Sequence, residues 1–147
     1  MAYSRDVEAA RRLAAQWHEG QLDKAGKPYI THPERVAGRL SSPERQVVGW
    51  LHDTVEDTAL TLSEVEARFG PETAAAVDAI SHREGESWED YIARVAANPV
   101  ARAVKISDMI DNSNLSRLPR ITPRDVQRQA RYNRTLQVLL GEDGEER

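Results

Sequence analysis

The run His52-Asp53-Thr54-Val55-Glu56-Asp57 sets four ionisable side chains within two helical turns, directly after the apolar stretch Val47-Val48-Gly49-Trp50-Leu51. Charge beside a core is costly unless it is paired or bound to a metal. On a continuous helix, Glu56 lies about 40° from His52, Asp53 about 100° and Asp57 about 140°, so all four share one side. An imidazole beside a carboxylate suits a divalent transition metal. A second carboxylate pair one turn on would stand next to such an ion, within reach of the protons of a bound water. The same run also reads as an N-cap or salt-bridge cluster at a helix end, with Asp57-Thr58 opening a loop. Taken alone, it leaves both readings open.

Two further segments carry groups of the same kind. His32 stands just before Pro33 and the start of a helix, where its ring either turns inward or serves as a capping or packing residue. In Val104–Asn112, Lys105, Asp108 and Asn112 share one helix face; alone this is a solvated face, but Ala103, Val104 and Ile106 flank it with core-type residues. Together His32, His52, Asp53 and Asp108 would supply two imidazole nitrogens and two carboxylate oxygens. That set suits Mn²⁺, Fe²⁺ or Zn²⁺ better than Mg²⁺ or Ca²⁺, which favour all-oxygen shells. One such ion would lower the pKa of a bound water and offset charge at a phosphorus atom.

The elements that must position these residues read as helices separated by short turns, with strand-type alternation nearly absent. Ser4 can cap a first helix carrying Val7, Ala10, Leu13, Ala14 and Trp17 at helical spacing. Gly20–Gly26 forms a polar loop, and Pro33 opens a short helix with Val36 and Leu40. A helix from about Pro43 to Val55 carries the opening run. Thr61 and Glu64 form a capping box ahead of a helix that stops at Gly70, and Pro71 opens the next. Further helices start at Ser87-Trp88 and Asn98-Pro99, and Thr122-Pro123 begins a last long one with Val126, Leu136, Leu139 and Leu140. The expectation is an all-α, single-domain bundle over 1–140, with 141–147 a frayed C-terminal tail. Trp17, Trp50 and Trp88 are expected in the core rather than at an interface.

Bulk properties narrow the partners. A chain of 147 residues with 39% hydrophobic and 30% charged residues is long enough for one modest core. No apolar run approaches the ~20 residues of a membrane span, the N-terminus lacks a signal-type stretch, and with no cysteine there is no thiolate site or disulfide. The net charge of −4 makes the surface as a whole no lure for nucleic acid. These properties leave room for a local basic pocket that takes a phosphorylated small molecule, and the expectation is no nucleic acid and no membrane partner, in a cytoplasmic protein that is a monomer or a homodimer.

His32, then His52-Asp53, then Asp108 resembles the H…HD…D pattern of the HD-domain metal-dependent phosphohydrolases. More narrowly, HEGQLDKAGKPYITHP from His18, WLHDTVEDT from Trp50 and VKISDMIDN from Val104 resemble the hydrolase domain of RelA/SpoT-type alarmone enzymes, including small stand-alone ones. The resemblance covers about residues 1–140. It implies an HD-type helical bundle around one Mn²⁺, with Fe²⁺ or Zn²⁺ as alternatives, held by His32, His52, Asp53 and Asp108. It implies Glu56 and Asp57 as the catalytic acidic pair, Lys24 and Asn112 as substrate contacts, and a structural role for His18. The implied reaction is removal of the 3′-diphosphate from guanosine 3′,5′-bispyrophosphate, the alarmone of the stringent response. The chain departs from the family at Asp23, where a basic residue is usual, at Met109 and Asn114, where arginine is usual, and at Leu115, where threonine is usual. The metal and acidic parts are thus intact while the nucleotide-reading parts are altered. Two alternatives follow: hydrolysis of another phosphate ester such as NADPH or a nucleoside monophosphate, or a non-catalytic nucleotide-binding module.

Overall fold

In a computed structural model of the chain, residues 4–145 are described, with side chains for 5–141. Helices α1 (Ser4–Trp17), α2 (Thr31–Gly38), α3 (Pro43–Leu51), α4 (Thr54–Asp57), α5 (Leu62–Phe69), α6 (Pro71–Ile80), α7 (Trp88–Ala97), α8 (Pro99–Asn112) and α9 (Pro123–Glu145) make up the fold. A short 3₁₀ turn, Leu115–Arg117, links the last two. Among the described residues the extended pairing is a single isolated bridge, Leu22 with Pro28.

Local chemistry sets the helix starts. Thr61, Ser87 and Asn98 each accept a hydrogen bond from a backbone N–H of the first turn of α5, α7 and α8. Such caps satisfy donors that have no partner inside the helix. The capping side chain expected at Ser4 lies outside the described residues. Gly70 takes a positive φ of 96°, which ends α5 and lets Pro71 open α6.

The centre of the bundle is α3 and α8. The first packs on α1, α2, α6 and α8, and the second on α2, α3, α6, α7 and α9. Ala10, Leu13, Val36, Val47, Leu51 and Val104 are among the buried residues of one continuous core. The α2–α3 crossing is tight because position 49 has no side chain: a Cβ there would stand 2.9 Å from the Cα of Ala37. Ser107 Oγ donates to the Val36 carbonyl at 2.9 Å and fixes the register of α8 on α2. Trp50 is core, Trp17 is partly buried against it, and Trp88 is half-buried and lines a cavity.

Several expectations change in detail. The helix expected over 43–55 stops at Leu51 and resumes at Thr54, because His52 Nδ1–H and Thr54 Oγ1–H turn back onto the carbonyls of Gly49 and Leu51, each at 2.7 Å. The wheel geometry for a continuous helix therefore does not apply across His52-Asp53. α2 begins at Thr31, so His32 lies in its first turn rather than ahead of it, while Leu40 follows the helix and packs on the core. The face of Lys105 and Asp108 is buried, not solvated. On α9, Leu139 is fully buried whereas Val126 and Leu140 are about half exposed. α9 runs as helix past Gly141 to Glu145, into the segment expected as a tail, and residues 146–147 lie outside those described.

Candidate metal centre

At the helix break the adjacent side chains of His52 and Asp53 approach one point. His32 arrives from α2 and Asp108 from α8. One donor atom from each of His32, His52 and Asp53 lies within 4.8 Å of the others. Asp108 Oδ1 stands 2.9 Å from His32 Nε2 and 3.4 Å from His52 Nε2. Asp53 Oδ2 is 3.1 Å from His52 Nε2 and 3.7 Å from His32 Nε2. Three segments remote in sequence thus meet as the sequence expectation required.

The centre has the chemistry of a cation site. His52 Nδ1–H is committed to the Gly49 carbonyl, so the neutral ring presents the lone pair of Nε2 to two carboxylate oxygens. That buried nitrogen has no hydrogen-bond partner despite those short distances. A lone pair facing carboxylates is repulsive unless a cation lies between them or the ring takes a second proton. The protonation preferences say the same. Burial would lower the pKa of both rings, yet the carboxylates of Asp53 and Asp108 hold His52 well above its ordinary value, and Asp108 with Asp111 raises His32. In return, burial would raise Asp108 and Asp53, but Lys105 and the two imidazoles hold Asp108 well below the usual range, and the imidazoles lower Asp53. The residues present fit a divalent ion.

The surroundings are polar and ordered. Lys105, 7% exposed, donates from Nζ to Asp108 Oδ2 at 2.9 Å and lies over the rings of Tyr91 and Trp88. Tyr29 donates its hydroxyl to Asp53. Asn112 Nδ2 donates to Asp108 Oδ1 at 3.1 Å, so this expected substrate contact also touches an expected ligand. Glu56 and Asp57 gather with Asp53, one oxygen from each within 4.8 Å of the others. Glu56 accepts the backbone N–H of His82 at 2.6 Å. Asp57 is pushed up to about 6, by burial first and then by the carboxylates of Asp53 and Glu56. His18 stands apart, its Nδ1 2.8 Å from Gln21 Oε1 and its ring beside Tyr29.

The centre opens into a cavity of about 460 Å³, which Lys24 and Asn112 also line. Lys105, Arg35, Arg117, Arg128 and Arg131 line it too, the last two carried by α9, and so do the carboxylates of Asp23, Asp111 and Asp125. Arg131 lies over the Trp88 ring, 4.1 Å from its centroid. The departures noted in the sequence have structural uses. Asp23 turns its carboxylate onto the N–H groups of Ala25 and Lys27, both at 2.9 Å, rather than pairing with Lys24. Met109 is buried, and Asn114 caps the 3₁₀ turn through the Ser116 N–H at 3.0 Å.

Sequence reasoning missed Asp111, which holds the second nitrogen of His32, and the α9 arginines. Asp111 had a legible signal, since it lies three residues after Asp108 and so on a neighbouring helix face. Arg128 and Arg131 had none, because nothing local says that α9 folds back over the cavity.

The family model described as HD domain matches residues 10–112. A probable GTP pyrophosphokinase of Mycobacterium leprae is 35% identical over 146 residues, covering 90% of this chain and 18% of that protein. A guanosine-3′,5′-bis(diphosphate) 3′-pyrophosphohydrolase of Aquifex aeolicus is 31% identical over 122 residues, covering 75% of this chain and 18% of that protein. The chain therefore spans less than a fifth of the length of these relatives. A solved structure of a metazoan SpoT orthologue, described as hydrolysing ppGpp, superposes with a TM-score of 0.78 at 21% identity, covering 95% of this chain and 88% of the other.

Proposed function

The chain belongs to the HD-domain family, and on that premise we propose that it is a divalent-metal-dependent nucleotide phosphohydrolase whose substrate is guanosine 3′,5′-bispyrophosphate (ppGpp), cleaved at the 3′-diphosphate. The observation that carries the reading is the unpartnered Nε2 of His52, facing Asp53 and Asp108 at one end of a cavity lined with arginine and lysine. A centre that needs a cation, opening onto a cavity that also carries Lys24, Arg128 and Arg131, suits a polyphosphate. The name of the Aquifex aeolicus relative supports ppGpp as the substrate.

His32, His52, Asp53 and Asp108 would hold the ion, for which Mn²⁺ is proposed and Fe²⁺ or Zn²⁺ would serve. When bound, it supplies charge neutralisation at phosphorus and acidifies water. The chain's own residues do the rest. Lys24, with Arg128 and Arg131 of the same cavity lining, offsets phosphate charge, and Asn112 faces the nucleotide. Glu56 is braced by the His82 N–H and orients the attacking water. Asp57, whose carboxyl is pushed up to about 6 by burial and by the carboxylates of Asp53 and Glu56, takes up the proton released as water adds to phosphorus. Lys105 and Tyr29 hold Asp108 and Asp53 in place. The proposed setting is cytoplasmic.

The test is product identification. With Mn²⁺ and ppGpp, GDP and pyrophosphate are expected. Asp53→Ala should abolish turnover while leaving the helical fold intact; full activity in that variant with metal retained would defeat the assignment. NADPH and nucleoside monophosphates belong in the same assay, and turnover of one of these without ppGpp hydrolysis would move the substrate. Tight ppGpp binding with no product would make the chain a binding module.

A further inference from the structure

Asp111 has a more elaborate setting than any other carboxylate in the described residues. It is 1% exposed. His32 Nδ1–H donates to its Oδ2 at 2.7 Å. Arg35 grips both oxygens, Nε to Oδ1 at 2.8 Å and Nη2 to Oδ2 at 3.1 Å. Arg39 Nη2 adds a bond to Oδ1 at 3.2 Å, and Arg117 Nη2 takes the Asp111 carbonyl at 2.9 Å. Nothing in the hydrolytic reading uses these contacts.

We infer that Asp111 is the positioning residue of the metal centre: it keeps the His32 proton on Nδ1 and so leaves Nε2 bare toward Asp53 and Asp108. A histidine that ligates through one nitrogen needs its other N–H held by an acceptor, which fixes both tautomer and ring angle. The guanidinium groups are charged at every accessible pH. With both of its oxygens held by Arg35, Asp111 neither takes the proton from His32 nor swings round to become a ligand. Burial would raise its carboxyl, but His32 and Arg35 outweigh burial and hold it far below the usual range. The arginines thus decide which of two aspartates on α8 faces the ion. This inference rests on the metal reading above.

The experiment reads metal affinity rather than turnover. Free Mn²⁺ is followed by electron paramagnetic resonance during titration of the chelator-stripped protein. Asp111→Ala should weaken Mn²⁺ binding roughly 10–100-fold, and Asp111→Asn, which retains an acceptor for Nδ1–H, should recover part of that loss. Unchanged affinity in a folded Asp111→Ala protein overturns the inference, whatever happens to activity, and leaves the metal centre standing. Should the alanine variant fail to fold, the asparagine variant is titrated alone: weakened binding supports the inference and unchanged binding overturns it. A second measurement needs no variant. In zinc-loaded wild-type protein, long-range ¹H–¹⁵N spectra should place the His32 proton on Nδ1, and a proton on Nε2 would overturn the assignment. Wild-type protein that binds neither Mn²⁺, Fe²⁺ nor Zn²⁺ would overturn the metal centre and this inference together.

Discussion

Asp108 and Asp111 sit one turn apart on α8, both buried, both bonded to His32, and they are neutralised in different ways. Asp111 is surrounded by Arg35, Arg39 and Arg117, permanent charges that satisfy it whatever else is bound. Asp108 has one permanent cation, Lys105, and otherwise faces two imidazoles that can be neutral. The first end of the helix is complete without a guest. The second is complete only with a proton or a metal ion. Burial is similar at the two positions, so it is the kind of counter-charge that separates a structural ion pair from a binding site.

Removing Asp108 should therefore do the greatest damage. Asp108→Ala strips the centre of a ligand and leaves the Lys105 ammonium buried without its carboxylate. Breaking a buried pair in this way costs about 3–5 kcal/mol. Adding Lys105→Met should restore most of the stability and none of the metal affinity. Chemical denaturation with parallel Mn²⁺ titration measures both. At Asp111 the stability loss should be smaller, because its arginines are about one-third exposed and can be rehydrated. A larger stability loss at Asp111 than at Asp108 would reverse the comparison.

The two imidazoles offer the same contrast on a smaller scale. A carboxylate holds the Nδ1–H of His32, whereas the Gly49 carbonyl holds that of His52. The second arrangement depends on the close α2–α3 crossing. Gly49→Ala would press a Cβ to 2.9 Å from Ala37 Cα, a backbone atom that cannot move aside. Overpacking of this kind costs about 1–3 kcal/mol, and it should weaken metal binding as well, since the displaced carbonyl is the one that orients His52. Thermal melts of the metal-free and metal-loaded variant separate the two effects. A variant as stable as wild type would show that the crossing relaxes and that Gly49 has no part in the centre.

Much of this is legible in the sequence. Capping residues and prolines marked the helix starts, as at Thr61, Pro71, Ser87 and Asn98, because caps are local chemistry. His32, His52, Asp53 and Asp108 were legible as a candidate set because their types suit one cation and their order matches the H…HD…D pattern, although each segment alone also reads as a cap, a packing residue or a solvated face. Contacts set by the tertiary path were hidden. The break at His52-Asp53 depends on two side chains returning to backbone carbonyls, which no periodicity reports. The clasp on Asp111 joins α2 to the region after α8, and the arginines of α9 reach the cavity only because that helix folds back on α8.

Asp57 is raised by burial and by neighbouring carboxylates where Asp108 and Asp111 are lowered by cations, and it gives the smallest and most diagnostic effect. In the metal-free protein its value rises from 3.8 to about 6, through burial and then repulsion from Asp53 and Glu56. The folded state thus binds this proton more tightly than the unfolded chain. The stability it contributes is fully present below about pH 4 and is lost as pH rises through about 6. Asp57→Asn should therefore match wild type at pH 4 and exceed it at pH 8. The full shift would correspond to about 3 kcal/mol, but the side chain is only half-buried and solvent screening reduces the gain to roughly 1 kcal/mol. The same variant should lose turnover, so stability and activity move in opposite directions. Equal melting temperatures at pH 8, measured in the presence of chelator, would mean that this carboxylate feels neither its burial nor its neighbours, and that counter-charge is not what distinguishes the acidic residues of this centre.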